Sequence, residues 1–188
     1  MVEWESLLER DAILLFEFSP GVVSYQEQPE LIMYELDGEL HRYYPDFEVI
    51  LKSGQIFHFE IKPAIKLKDS AMVKKYKAII ERYESVGGNF SLLLDNRIRV
   101  EPRLTNLKRL ATAQHNPADY KVLLEEATKL VTIDPTFTVL TLSSVFGLSH
   151  VMTLLGKWDL CCDLGKDLMA DNNFVRLPTE ADDEALLC

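Results

Sequence analysis

The sequence predicts a mixed α/β (α+β) domain over residues 1–110, followed by a small helical region over residues 111–188. The first half is dense in alternating apolar and polar residues, which is typical of strands, and helical patterns lie on both sides of this segment. The second half contains several short helical patterns instead. With 188 residues, 47% of them apolar, the chain can form one sizeable core or two small domains.

The first helix is predicted over residues 4–17, where Leu7, Leu8 and Leu14 lie on an apolar side, and Ser19-Pro20-Gly21 ends it. Asp37-Gly38 between two strand patterns is a strong hairpin signal. The strands of this segment are predicted over residues 22–26, 30–36, 39–44, 46–51 and 55–61.

Pro63 ends the strand pattern, and a lysine-rich helix is predicted over residues 69–86, with Gly87-Gly88 as its C-terminal cap. Further strands are predicted over residues 89–94 and 98–100. Beyond them, helices are predicted over residues 104–114, 118–131, 141–146 and 149–160, and a short strand over 173–177. Short helices followed by a strand are typical of a winged helix, and the acidic tail 179–188 is expected to fray.

The composition limits the classes of function. No apolar run reaches the roughly 18 residues of a membrane span, and no secretory signal pattern begins the chain. The 3 cysteines are late and odd in number, and the 4 histidines lack ligand spacing, which disfavours disulfides and zinc and indicates a cytoplasmic protein. The net charge of −10 disfavours binding to DNA without a partner.

Three residues near one hairpin form a candidate catalytic site. Asp46 follows Pro45 at the start of a strand, and Glu60 and Lys62 end the next strand, after a Ser-Gly turn. A hairpin of this length brings Asp46 and Glu60 to the same end, and alternation places Glu60 and Lys62 on one face. Mg²⁺ or Mn²⁺ prefers oxygen ligands, so both carboxylates and the Ile61 carbonyl suit it.

Such a site suits phosphodiester hydrolysis, because a bound metal activates water and polarises the phosphoryl group. Lys62 could orient or deprotonate that water, or stabilise the developing charge. The alternative interpretation is a chance turn and an exposed Glu-x-Lys strand face. Glu9 on the first helix is a further candidate carboxylate, but Glu5 shares its helix face and periodicity does not separate them.

The order of these motifs resembles the TnsA-type transposon endonucleases of the PD-(D/E)xK superfamily. The matching features are Ser6-x-x-Glu9, Pro20-x-Val22, Gln28-Pro29, Tyr44-Pro45-Asp46-Phe47, Glu60-Ile61-Lys62-Pro63 and, later, Asn106-Leu107. The resemblance covers residues 4–110 and implies a restriction-endonuclease-like mixed sheet flanked by helices. It fades over residues 115–188, where the family has a winged-helix-like part.

The resemblance also implies roles. Glu9 matches the helical catalytic carboxylate, Asp46 the metal-bridging aspartate, Glu60 the second ligand and Lys62 the catalytic lysine. Gln28 matches a recurring Gln-Pro pair, for which a simple turn role is the favoured interpretation. The implied activity is cleavage of double-stranded DNA at the 5′ transposon ends, together with an integrase-like transposase (TnsB) and an ATPase regulator (TnsC).

Such partners would account for the net negative charge, because they would supply the affinity for DNA. The lysine-rich stretch 66–77 is then either a local patch that contacts phosphates or, equally, a solvated helix face. Three hypotheses follow: a transposon endonuclease, a stand-alone nuclease of the same fold in defence, repair or phage DNA processing, and a non-catalytic interaction module. The complete set Asp46, Glu60 and Lys62 argues against the third.

Overall fold

The computed structural model describes residues 6–113 and 117–183, which form two compact units that divide between Arg99 and Val100. In the first unit the helices are α1 (Leu7–Glu17), α2 (Ser70–Ser85) and α3 (Asp95–Ile98), and a 3₁₀ turn covers Ala64–Lys68. The strands are β1 (Val22–Glu27), β2 (Ile32–Leu36), β3 (Glu39–Tyr43), β4 (Phe47–Leu51), β5 (Ile56–Lys62) and β6 (Asn89–Leu94).

The central sheet of the first unit has the strand order β1-β4-β5-β6. β4 pairs antiparallel with β1 and with β5, while β6 runs parallel to β5. The β4–β5 connection turns at Gly54, whose φ of +81° is a conformation that glycine adopts without steric cost. This mixed sheet flanked by helices confirms the predicted fold class.

One face of the sheet is covered by α1. Ser6 caps this helix by accepting a hydrogen bond from the N–H of Glu9. Phe16 is 1% exposed, and its ring lies 5.3 Å from that of Phe47 and 5.6 Å from that of Phe59. These contacts fix which strand residues point towards α1 and therefore leave their neighbours Asp46 and Glu60 on the opposite face.

The opposite face is covered by α2 and by the β2–β3 hairpin, which forms a separate two-stranded sheet. α2 begins after Asp69, whose side chain accepts from the N–H of Ala71. The buried side chains here are largely aromatic: Tyr34, Tyr43, Tyr76, Ile79 and Tyr83. The predicted hairpin at Asp37-Gly38 is confirmed, but it pairs only with itself rather than extending the central sheet.

The strand predicted over residues 98–100 is wrong. Asp95 begins the short helix α3 instead, and its carboxylate accepts from the N–H groups of Asn96 and Ala64. Ile98 is fully buried, and Arg99 forms an ion pair of 2.8 Å with the buried carboxylate of Asp11 on α1. The buried side chain of Ile98 thus belongs to a helical turn rather than to the period-two pattern of a strand.

The second unit is helical, as predicted. Its helices are α4 (Arg103–Ala113), α5 (Tyr120–Ile133), α6 (Val139–Phe146) and α7 (Leu148–Gly156), and a 3₁₀ turn covers Glu180–Asp182. The predicted strand 173–177 is reduced to two antiparallel bridges, Thr138 with Phe174 and Cys161 with Arg176. The winged-helix interpretation of this unit stays a prediction.

The boundary between the units lies earlier than residue 110. α4 packs on α7, and the buried Asn106 donates to the carbonyls of Leu164 and Lys166 at 2.9 and 2.6 Å. These contacts place α4 in the second unit. The Asn-Leu pair that carried part of the resemblance therefore supports the second unit rather than the first.

The acidic tail is not wholly frayed. Asp182 pairs with the guanidinium of Arg176 and accepts from the N–H of Thr179, which holds residues 179–183 against the second unit. Residues 184–188 lie outside the described residues. Among the described cysteines, Cys161 and Cys162 are both free. None of the described helices is long and apolar enough to cross a membrane.

Candidate active site

The site lies where β4 begins and β5 ends. Phe47 pairs with Phe59 across the two strands, so Asp46, one residue earlier, comes opposite Glu60, one residue later. Lys62 follows two residues beyond Glu60 on the same strand and on the same face. The structure thus brings together the three residues that the sequence singled out.

Asp46 is fixed by its own neighbours. Its Oδ2 accepts from the backbone N–H of Ile61 at 2.7 Å and lies 3.7 Å from Nζ of Lys62. Burial raises the pKa of Asp46 from 3.8 to about 6, and the negative charge of Glu60 adds to this effect, against the hydrogen bond from Ile61 and the charge of Lys62. The carboxylate is therefore held in place at an electrostatic cost.

Glu60 is 3% exposed, and three side chains donate to it. The hydroxyl of Tyr76 donates to Oε1 at 2.7 Å, Nζ of Lys62 lies 2.8 Å from the same oxygen, and the hydroxyl of Tyr43 donates to Oε2. A buried carboxylate is stable only when its oxygens are satisfied in this way. Glu60 is therefore a fixed ligand candidate rather than a mobile surface charge.

Lys62 bridges the two carboxylates. Burial works against its charge, but the hydrogen bond to Glu60, together with the charges of Glu60, Asp46 and Glu9, outweighs burial and raises the pKa of the ammonium group. Lys62 consequently stays protonated in this arrangement. Of the roles left open by the sequence, orienting water or stabilising negative charge suits it better than accepting a proton.

Glu9 lies on the first turn of α1, partly buried, and its Oε1 accepts from the hydroxyl of Ser6 at 2.8 Å. Its charge acts on both Asp46 and Lys62, which places it in the electrostatic surroundings of the site. Glu5, the alternative, lies outside the described residues. The structure thus shows Glu9 near the site without showing it as a ligand.

Within residues 6–113 and 117–183, no three His, Cys, Asp or Glu side chains are grouped so as to hold a metal ion. Two carboxylates are nonetheless a sufficient protein contribution for Mg²⁺, which usually keeps several waters and binds through one or two carboxylates and substrate phosphates. Asp46 and Glu60 fit that role, because the repulsion between them is relieved here by the ammonium of Lys62. A divalent cation would supply the same compensation.

Gln28 acts through its backbone. Its φ of +43° marks a left-handed turn, and its N–H donates to the carbonyl of Asp46 at 2.9 Å. The turn interpretation favoured from the sequence therefore agrees with its conformation, and the same turn anchors the backbone of Asp46.

Sequence reasoning missed Tyr43 and Tyr76, the two hydroxyl donors to Glu60. The spacing of Tyr76, Ile79 and Tyr83 on α2 predicts a buried stripe, but it does not show which polar group the stripe meets. Tyr43 ends β3 just before the Pro-Asp turn, and only the packing of the hairpin against α2 brings it to Glu60.

Residues 19–95 match the family model described as TnsA-like endonuclease N terminal. The matched segment contains Asp46, Glu60 and Lys62 and ends near the boundary of the first unit at Arg99. Glu9 lies before the matched segment. A search of curated proteins finds no match to the chain.

We predict that Asp46→Asn stabilises the metal-free protein at pH 8. The folded pKa of about 6 lies above the ordinary 3.8, so ionised Asp46 opposes folding at high pH. The gain should be on the order of 1–3 kcal/mol at pH 8 and should shrink as the pH falls from 6 towards 4. Urea unfolding in EDTA measures it.

Asp37→Asn is the matched control, because Asp37 is an exposed turn carboxylate and the change should have little effect. Equal stability of the wild type and Asp46→Asn at pH 8 would contradict the prediction.

Proposed function

We propose that this chain, whose residues 19–95 match the TnsA-like endonuclease N-terminal family model, is a Mg²⁺- or Mn²⁺-dependent endonuclease that cleaves the 5′ ends of a transposon. The main support is the convergence of two carboxylates and one lysine at one end of the β4–β5 hairpin. A buried carboxylate that shares a lysine with a second carboxylate at the end of two paired strands is typical of a functional site.

The reaction is hydrolysis of a phosphodiester. A water oxygen forms a bond to phosphorus, the bond from phosphorus to one ester oxygen breaks, and that oxygen leaves with a proton. When bound, the metal supplies charge neutralisation and an acidified water. Asp46 and Glu60 are the residues that would hold it, with the carbonyl of Ile61 as a further ligand.

The protein's own residues stabilise charge and align the groups of the site. Lys62, as an ammonium group, stabilises the charge that develops on the phosphoryl oxygens and orients the attacking water. Glu9 adds a carboxylate that shapes the electrostatics of Asp46 and Lys62, and we assign it a supporting catalytic role. The hydrogen bond that the backbone N–H of Ile61 donates to Asp46 keeps this carboxylate aligned.

The local supply of positive charge is smaller than the sequence suggested. Lys74 pairs with Asp37, and Lys77 lies 3.8 Å from Glu81, so these two charges are already partly neutralised. Lys66 and Lys68 lie on the 3₁₀ turn that follows the site on the chain and remain the better candidates for phosphate contacts. A net charge of −10 then favours recruitment to DNA by partners.

The second unit is our candidate for docking such partners, the transposase and the ATPase regulator. The apolar stretch Val139–Leu142 is only partly suited to this role, because Val139 and Leu142 are fully buried in the unit. Val145 and Leu148, on either side of Gly147, are 56% and 50% exposed and offer an apolar contact surface instead.

Metal binding tests the proposed function directly. Calorimetric titration of Mn²⁺ should show binding to the wild type that is lost in Asp46→Ala, because one of the two ligand carboxylates is removed. Asp37→Ala removes an exposed carboxylate and should bind as the wild type does. Equal binding by Asp46→Ala and the wild type would reject the assignment.

Lys62→Ala should lower the rate of DNA cleavage by about 100- to 1000-fold, because one preorganised positive donor is lost from the transition state. Circular dichroism should show an unchanged fold. Lys52→Ala, an exposed lysine at the far end of the β4–β5 hairpin, should retain activity. Wild-type nicking by Lys62→Ala would show that Lys62 is only a surface charge.

Glu9→Gln should slow cleavage by about 100-fold or more if its carboxylate serves the catalytic water or a second metal. Glu5→Gln should have little effect, since the resemblance aligns Glu9 rather than Glu5 with the catalytic helix position. Both are compared in the same single-turnover cleavage assay. The reverse ranking would move the role to Glu5.

The purified chain should bind duplex DNA weakly at physiological salt and cut little of it, because its overall field repels phosphates. Addition of the cognate transposase should confer cleavage at transposon ends by raising the local concentration of the nuclease. Gel-shift and cleavage assays with labelled ends compare the two conditions. Tight binding with efficient, sequence-specific cutting by the chain alone would favour the stand-alone nuclease.

A further inference from the structure

Two tyrosines from different elements hold the Glu60 carboxylate from two sides. Tyr43, at the end of β3, donates to Oε2, and Tyr76, on α2, donates to Oε1 at 2.7 Å. Their side chains are deeply buried, at 6% and 2% exposure. Each oxygen of Glu60 therefore receives one hydroxyl from a side chain that has little freedom to turn away.

The packing around both rings is tight. The ring of Tyr43 meets those of Tyr34 and Phe90 edge-on, at 6.3 and 6.0 Å. The ammonium of Lys75 lies over the rings of both Tyr43 and Tyr76, at 5.2 and 5.3 Å from their centroids. These contacts join the hairpin to α2 across the carboxylate.

Lys62, the third donor, differs from the tyrosines. Its Nζ shares Oε1 with Tyr76, but its side chain is 29% exposed and is carried on a flexible stem. If one donor has to yield for Glu60 to bind a cation, the ammonium of Lys62 can turn away from Glu60 towards a bound phosphate, whereas the tyrosines would have to unpack.

We propose that Tyr43 and Tyr76 are positioning residues that clamp the Glu60 carboxylate in the orientation required for a divalent cation, with Lys62 as the donor that gives way. The inference rests on the proposed function of Glu60 as a metal ligand. It extends the site to α2 and to the β2–β3 hairpin, which contain none of the motif residues.

The aromatic cluster supplies a matched control. Tyr83 is 4% exposed in the same cluster, and its hydroxyl is buried without a hydrogen-bond partner among the described residues. Tyr83→Phe therefore removes the same atom from the same surroundings as Tyr76→Phe but leaves Glu60 untouched.

The first test is the affinity for Mn²⁺ measured by calorimetry. Tyr43→Phe and Tyr76→Phe should each weaken binding by about 10-fold or more, the effect typical of removing a hydrogen bond to a metal ligand. Tyr83→Phe should stay within about twofold of the wild type, since it changes no ligand contact. If the wild type binds Mn²⁺ and Tyr76→Phe binds it equally well, the clamp is overturned while the proposed function stands.

The second test uses the metal-free protein in EDTA and combines each tyrosine variant with Glu60→Gln. The loss in urea midpoint caused by Tyr76→Phe should be at least halved in the Glu60→Gln background, while the effect of Tyr83→Phe should be the same in both backgrounds. Additive effects of Tyr76→Phe and Glu60→Gln would overturn the clamp whatever the metal result. Absence of Mn²⁺ binding by the wild type would instead overturn the proposed function, and with it the clamp as a metal-binding device.

Discussion

The buried carboxylate of Glu60 is the constraint on which the first unit is organised. A charge at 3% exposure is unfavourable unless hydrogen bonds replace its water shell. Those bonds come from β3, from α2 and from Lys62 on its own strand. The hairpin and the helix that cover this face of the sheet are therefore needed for the charge as well as for the apolar core. Removal of one donor would leave a buried charge undercompensated, so the packing and the chemistry of this face depend on each other.

At Asp46, in contrast, the hydrogen bond and the positive charge nearby do not fully offset burial and the charge of Glu60. It lies beside Glu60 in a half-buried position, and its pKa is raised to about 6. The folded protein therefore holds the ionised form of this carboxylate at a cost in free energy. The backbone of Ile61 and the charge of Lys62 reduce that cost without removing it. An arrangement that opposes folding yet is held by specific hydrogen bonds is typical of a site selected for chemistry rather than stability. Under the proposed function, a divalent cation bound between the two carboxylates would relieve that cost.

Much of the first unit could be predicted, because its signals are local. The alternation of β4 and β5, the Ser-Gly turn and the spacing from Asp46 to Glu60 and Lys62 fix the site within one hairpin. The tyrosines that hold Glu60 could not be found this way, since they reach it only through the packing of α2 and β3. The short helix α3 was misread as a strand because three apolar or basic residues carry no clear period. The contacts of Asn106 with residues almost sixty positions later have no local signal either, so the sequence does not show which unit α4 packs in.

Both units carry a net negative charge. Acidic residues outnumber basic ones on each side of the boundary at Arg99, so neither unit has the net positive charge typical of proteins that bind DNA alone. On the first unit, ion pairs such as Lys74 with Asp37 use part of the lysine supply internally. Under the proposed function, a nuclease site in such a field would engage phosphate mainly where another molecule holds the DNA in place, and the low affinity would limit cutting elsewhere. The same charge that weakens the enzyme alone would therefore confine its activity to assembled complexes.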